Sequence, residues 1–140
     1  MPLILDSFRK AIAAPQAVQS KSEDAVFMSA LDAVTRDAIQ SGVIQHFEFT
    51  YELAWKFIKR RLEADIGRSS VDGVSRRELF RIAAENGLIE DVEAWFQYHV
   101  ARNETSRAYD LAVAARVYTT SLTFAADAVR LLTVLEARNA

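Results

Sequence analysis

The chain has 140 residues, of which 51% are apolar and 26% are charged, a balance typical of one globular domain rather than of a disordered segment. The formal net charge of −2 excludes the overall basic surface of a general nucleic-acid-binding protein, and the lack of cysteine excludes disulfides and thiolate chemistry. No apolar run approaches the ~18–20 residues that a membrane helix needs. We therefore expect a single domain over residues 1–140 that works in the cytoplasm and not in a membrane.

Only 4 Gly and 2 Pro are present, which favours a few long helices over many short strands. Apolar spacing and capping side chains predict four or five helices, at Leu3–Ala14, Glu23–Ser41 and Val43–Glu63, and after the capping residues Ser75, Asp91 and Asp110. Pro15 predicts a break after Ala14, and Gly42 predicts a kink or break before the central helix. The pattern predicts an all-α fold, an antiparallel up-and-down four-helix bundle with an extra short helix.

The central helix, Val43–Glu63, has the sequence VIQHFEFTYELAWKFIKRRLE and organises the rest of the chain. One apolar stripe at helical spacing consists of Ile44, Phe47, Tyr51, Trp55, Ile58 and Leu62. A second stripe consists of Phe49, Leu53 and Phe57. Two stripes predict a helix that is covered on more than one side, which favours a dimer formed through helices.

Glu48, Glu52 and Lys56 share one face of this helix. Two carboxylates four residues apart repel by ~0.2–0.5 kcal/mol, so we expect a cation from another helix to lie between them. Arg102 is the candidate, because its planar guanidinium suits carboxylates bidentately. The alternative is an ordinary salt bridge of the bundle with no further role.

A basic run ends the central helix, where cations suit the helix dipole: Lys56, Lys59, Arg60 and Arg61. The run is either a solvated face or a contact for a phosphate-bearing ligand or an acidic partner.

A polar stretch, Ala101–Asp110 (ARNETSRAYD), interrupts apolar surroundings. Its polar members are Arg102, Asn103, Thr105, Ser106, Arg107, Tyr109 and Asp110. Guanidinium, amide, hydroxyl and phenol groups suit the oxygens of phosphate and ribose. The same residue types also end one helix and cap the next, so the residues alone leave both interpretations open.

The two histidines, His46 and His99, do not fall in an H-x-x-x-H or H-E-x-x-H arrangement, and no cysteine is available. We therefore predict a structural or surface role for both, with no metal site and no cofactor. The sequence also holds no glycine-rich phosphate loop and no G-x-S-x-G elbow.

Two segments together resemble the nucleotidyltransferase substrate-binding protein family, small helical proteins related to the HEPN domains. The first is the central helix with its FEFTYELAWK core, and the second is SRRELFRIAAENGLIEDVEAWFQYHVARNETS. The resemblance implies a four-helix bundle that dimerises and binds a minimal nucleotidyltransferase encoded nearby, as a homodimer or a heterotetramer with it. It also implies that the catalytic carboxylates and the metal belong to that partner, with no cofactor in this chain.

In the toxin branch of the HEPN group, a motif of Arg, four residues, His, any residue and Tyr forms a ribonuclease site. Here Arg102 matches the motif Arg, Asn103 the polar residue after it, and Tyr109 the Tyr, but Arg107 stands where the motif has His. Arginine stays protonated near neutral pH and cannot act as a base, although it can hold phosphate. His99 lies three residues before Arg102, where its geometry would differ from that of the motif.

Three hypotheses follow. In the leading one, the chain is a non-catalytic substrate- or nucleotide-binding subunit of a two-component nucleotidyltransferase, a pair of toxin–antitoxin type, and it binds nucleotide or RNA. Its predicted cleft consists of Arg102, Asn103, Arg107, Tyr109, Glu48, Glu52 and Lys56. The second is a HEPN-type ribonuclease toxin inactivated by Arg107, and the third is a structural dimer that only stabilises its partner.

Overall fold

The described part of the chain, residues 2–14 and 16–139 of a computed structural model, consists of helices and their connections and contains no strand. The α-helices are α1 (Asp6–Ala13), α2 (Gln16–Glu23), α3 (Ala25–Ser29), α4 (Ala33–Ile66), α5 (Arg76–Glu85), α6 (Val92–Glu104) and α7 (Leu111–Asn139). Short 3₁₀ turns lie at Arg68–Ser70 and Thr105–Arg107. The predicted all-α fold is confirmed, with more helices than the predicted four or five because the N-terminal region divides into three short ones.

α1 lies within the predicted helix Leu3–Ala14, whereas the predicted helix Glu23–Ser41 is divided into α3 and the first part of α4. α1 ends at Ala13 and α2 begins at Gln16, as the predicted break requires, while Pro15 itself lies outside the described residues. The segment after Pro15, which the sequence left ambiguous, is helical and packs on α4. None of the described helices is both long enough and apolar enough to cross a bilayer.

The predicted break at Gly42 is wrong. α4 continues through Gly42 as one helix of 34 residues, and the division falls earlier, where Asp32 caps it by accepting a hydrogen bond from the Thr35 N–H at 2.7 Å. A glycine inside a helix costs only ~1 kcal/mol relative to alanine, so packing can offset it. Here Val43 and Ile44 are buried immediately after the glycine, and Val18 of α2 lies against it.

Three predicted caps are confirmed. Ser75 accepts from the Glu78 N–H at 3.1 Å, Asp91 from the Ala94 N–H at 3.2 Å, and Asp110 from the Ala112 N–H at 2.9 Å. These caps fix where α5, α6 and α7 begin. The turn that joins α6 to α7 is short, and the two helices pack on each other, so they run antiparallel.

The core lies between α4, α6 and α7 and is rich in aromatic rings. Phe124 of α7 is at its centre, with ring centroids 5.2 Å from Phe47, 5.8 Å from Trp95 and 5.1 Å from Tyr98, all in edge-to-face arrangement. The first predicted stripe of α4 is buried in this core, except Trp55, which is half-buried. In the second stripe Phe57 is buried, but Phe49 exposes 60% of its surface, so the chain alone does not cover that side of α4.

Candidate functional site

Arg102 of α6 lies between two carboxylates of α4, as the sequence predicts. Its Nε is 3.2 Å from Glu52 Oε1, and its Nη1 is 3.7 Å from Glu48 Oε2. About a third of each of the three side chains is exposed, at 31%, 34% and 38% for Arg102, Glu52 and Glu48. Arg102 Nη1 also donates to Thr105 Oγ1 at 3.4 Å, and that hydroxyl donates to the Arg102 carbonyl at 2.7 Å. The guanidinium is therefore held in one orientation at the surface.

Trp55 and Arg76 continue this cluster towards α5. The Trp55 indole Nε1 donates to Glu52 Oε2 at 3.0 Å, so the two oxygens of Glu52 join the indole to Arg102. The Arg76 guanidinium stacks on the Trp55 ring, 3.5 Å from its centroid, and the Lys56 ammonium lies 5.7 Å from the same centroid. Lys56 thus belongs to the surface around Trp55.

A second hydrogen-bonded row runs beside the first. The Tyr51 hydroxyl lies 2.8 Å from His99 Nδ1, and His99 Nε2 lies 3.4 Å from Asn103 Nδ2. Burial, and then the charges of Arg76 and Arg77, lower the pKa of His99, so the ring is neutral near pH 7. Burial likewise raises the pKa of Tyr51, so its hydroxyl stays protonated. The Asn103 amide nitrogen can only donate, so both contacts are hydrogen bonds in the tautomer that carries its proton on Nδ1 and donates it to the Tyr51 hydroxyl. With both ring nitrogens engaged in this way, His99 suits a role in orienting Asn103 better than a role as a base.

Arg107 contacts a carboxylate outside the Arg102 cluster. Its Nη2 lies 3.9 Å from Glu104 Oε1, and the same carboxylate oxygen lies 3.6 Å from Arg116 of α7. The Arg107 side chain is 58% exposed. At the position of the motif histidine the chain therefore presents a solvent-exposed cation held loosely by one carboxylate.

Tyr109 lies in a groove between the N-terminal half of α4 and the start of α7, and 85% of its surface is exposed. The groove has a volume of about 400 Å³. α7 contributes Leu111 and Ala114, whereas the polar lining comes from α4 and from the turn between α6 and α7: Asp37, Gln40, Ser41, Gln45, Glu48, Thr105 and Tyr109. Because Glu48 and Thr105 also contact Arg102, the groove opens next to the Arg102 cluster.

The structure therefore brings part of the predicted cleft together. Arg102, Glu48 and Glu52 are in contact, Asn103 joins through His99, and Tyr109 lies in the adjoining groove. The residues of the polar stretch have different roles. Asp110 caps α7, whereas the Asn103 side chain contacts His99 and not the end of a helix.

Four neighbours of this cleft were not singled out as site residues from the sequence: Tyr51, Trp55, Arg76 and His99. Tyr51 and Trp55 follow the apolar stripe of α4, and Arg76 falls inside the capping box of α5. For His99 the sequence gives one indication of a place in the site. It lies four residues before Asn103 and three before Arg102, a spacing that puts the three side chains on neighbouring positions of one helix.

Metal ligands do not cluster in the described residues, where no three His, Asp or Glu side chains come close enough to hold an ion. His46 lies on the other side of α4. It lines an apolar cavity of about 340 Å³ with Ile12, Phe47 and Phe124.

Comparison with known proteins identifies relatives over nearly the whole chain. A model of the family described as nucleotidyltransferase substrate binding protein like matches residues 3–137. A protein of Haemophilus influenzae named probable ribonuclease HepT is 36% identical over 108 residues, which are 76% of this chain and 74% of the relative.

Two solved structures share the fold. One is HI0074 of Haemophilus influenzae, described as having the fold of a substrate-binding domain of a nucleotidyltransferase. It superposes with a TM-score of 0.90 and 30% identity, covering 95% of this chain and 99% of HI0074. A structure from Thermus thermophilus superposes with a TM-score of 0.72 and 23% identity, covering 91% of this chain and 98% of that one, and it supports the fold alone.

Proposed function

This chain belongs to the nucleotidyltransferase substrate-binding protein family, and from that premise we propose that it is the non-catalytic, cytoplasmic binding subunit of a two-component nucleotidyltransferase. The partner, a minimal nucleotidyltransferase, supplies the catalytic carboxylates and the metal. This chain positions the substrate, or is itself the acceptor through Tyr109. The substrate class is a nucleotide or an RNA end.

The observation that carries this proposal is Arg102 fixed between Glu48 and Glu52 at the mouth of the groove. The two carboxylates hold the planar Arg102 guanidinium and its N–H donors in place before a ligand binds. Less conformational entropy is therefore lost on binding. Asn103 beside it offers an amide, and Tyr109, which lines the groove, offers an exposed phenol. Donors of these kinds suit phosphate and ribose oxygens.

We propose further that two copies associate, as a homodimer alone or as a heterotetramer with the partner. Phe49 supports this part of the proposal. It exposes 60% of its surface although its neighbours Phe47 and Thr50 are buried, and an exposed aromatic side chain of this kind is typical of an interface.

Co-purification with the product of a neighbouring nucleotidyltransferase gene tests the subunit hypothesis directly. We expect a complex that survives size-exclusion chromatography at micromolar concentration, and its absence would count against the hypothesis.

A double variant, Arg102→Ala with Tyr109→Phe, then separates substrate binding from a purely structural role. If the cleft is functional, the variant still binds the partner while nucleotidyl transfer falls. If both assembly and transfer are unchanged, only the structural role remains.

The second candidate function is ribonuclease activity, favoured by the name of the relative that is 36% identical. We propose that Arg107 has removed this activity, since it stays protonated and pairs with Glu104. Incubating the chain and its Arg107→His variant with RNA in the presence of EDTA tests this. Cleavage by the unaltered chain would overturn the proposal, whereas cleavage by the variant alone would identify Arg107 as the cause of a lost site.

A further inference from the structure

The cations of this chain are unevenly paired. Nine of its 17 lysines and arginines have a carboxylate oxygen within 4.0 Å among the described residues. Of the remaining eight, five lie on the C-terminal half of α4 and the first turn of α5: Lys56, Lys59, Arg60, Arg76 and Arg77. Arg61, in the same basic run, is buried and paired with Asp65 at 2.9 Å, so it takes no part in this surface.

Three of these five, Lys56, Arg76 and Arg77, lie over aromatic rings of α4 and α6. Arg76 stacks on Trp55 at 3.5 Å, and Lys56 lies 5.7 Å from the same ring centroid, so their charges are at most about 9 Å apart. Arg77 stacks on Phe96 of α6, 4.7 Å from its ring centroid. Phe96 lies about one turn before His99, and the charges of Arg76 and Arg77 both lower the pKa of His99.

The neighbouring carboxylates are already engaged. Glu52 accepts from Trp55 and Arg102, and Glu78, on the same turn of α5 as the two arginines, pairs with Arg81 at 3.5 Å. Two arginines on the first turn of α5 also oppose the helix dipole, which favours carboxylates there. The surface therefore gathers positive charge with no carboxylate of the described residues within ion-pairing distance of it.

We propose that Lys56, Arg76 and Arg77 form a binding site for a phosphoanhydride group, the di- or triphosphate of a nucleotide or a free polyphosphate chain. Two guanidiniums stacked on aromatic rings lose little freedom when they bind, and their planar forks suit phosphate oxygens. An anion with several charges along a chain can contact more than one of these cations. The site is independent of the partner, because every group named belongs to this chain.

Calorimetric titration of the full chain with tripolyphosphate in low-salt buffer tests the site. We expect saturable binding of one anion per chain, and a rise in Kd of about tenfold or more in the Arg76→Gln/Arg77→Gln variant. The matched control is Lys10→Gln/Arg36→Gln, which removes the same charge from two cations that lack a carboxylate partner elsewhere in the described chain, and its Kd should change by less than about twofold.

Absence of saturable binding at millimolar tripolyphosphate would overturn the proposal, as would an equal loss in the control variant. Because Arg76 and Arg77 both stack on rings, at 3.5 and 4.7 Å, the exposed Lys56, 5.7 Å from the Trp55 centroid, is also replaced alone, and Lys56→Gln should weaken binding without changing the circular dichroism spectrum. Titration with ATP distinguishes the two sources, since tighter binding of ATP than of tripolyphosphate identifies a nucleotide, and equal binding identifies the phosphate chain. The outcome of these titrations does not depend on whether the chain co-purifies with a nucleotidyltransferase, so the two proposals can fail independently.

Discussion

Replacing Arg102 by alanine measures how far the site depends on the pairing of one arginine with two carboxylates. The variant loses two partly exposed ion pairs, worth roughly 0.5–1 kcal/mol each, and leaves Glu48 and Glu52 to repel each other by ~0.2–0.5 kcal/mol. The expected loss in the free energy of unfolding is therefore about 1.2–2.5 kcal/mol. For a chain of this length that lowers Tm by about 4–8 °C. Urea denaturation and calorimetry at low ionic strength give both quantities.

Arg107→Ala is the matched control, because Arg107 lies on the same segment but makes a 3.9 Å contact with Glu104 and is 58% exposed. It should cost less than about 0.5 kcal/mol. A sharper test uses Glu48→Gln, which should destabilise the unaltered chain but stabilise the Arg102→Ala chain, since in the latter it removes only repulsion. Equal effects of the two arginine variants, or the same sign for Glu48→Gln in both backgrounds, would refute the reasoning.

Three further predictions concern the core, the long helix and pH. Phe124→Ala should cost about 3–5 kcal/mol in urea denaturation, because it empties the centre of the aromatic core, and a cost below about 1 kcal/mol would contradict that packing. Gly42→Ala should raise the free energy of unfolding by about 0.4–1 kcal/mol, since α4 continues through it and a new Cβ meets only Val18 Cγ1 at an ordinary 3.8 Å, whereas destabilisation would favour a break there. The pKa of His99 lies below its ordinary 6.5, so the chain should lose stability as pH falls from 6.5 through the folded-state pKa, and His99→Gln should remove that loss in denaturation curves at about pH 7.5 and 5.5.

Local signals in the sequence predicted most of the helix boundaries. Ser75, Asp91 and Asp110 each stand before an apolar helical pattern, and a capping side chain acts on backbone N–H groups two or three residues away. The contact of Arg102 with the two carboxylates was predictable for a different reason. Two like charges at i, i+4 repel each other, and a cation from elsewhere in the fold offsets that repulsion.

Contacts between distant segments were not predictable in the same way. Nothing near Arg76 indicates that Trp55, on another helix, lies beneath it, because a capping box specifies only its own first turn. The break expected at Gly42 is absent for the same reason. The small free-energy cost of a glycine inside a helix is outweighed by burial of the residues that follow it and by the contact of α4 with α2. In both positions tertiary packing decided the outcome.

The continuity of α4 has a consequence for the site as a whole. The groove begins at Asp37, the Arg102 cluster lies at Glu48 and Glu52, and the cationic surface starts at Lys56, so the three follow one helix over about 28 Å at 1.5 Å per residue. A break at Gly42 would let the groove move relative to the arginine cluster. A single helix instead holds them at fixed separations. A ligand that spans the groove and the cationic surface would then contact binding groups whose separation is already fixed. Its affinity would depend more on its length than on an induced change in the protein.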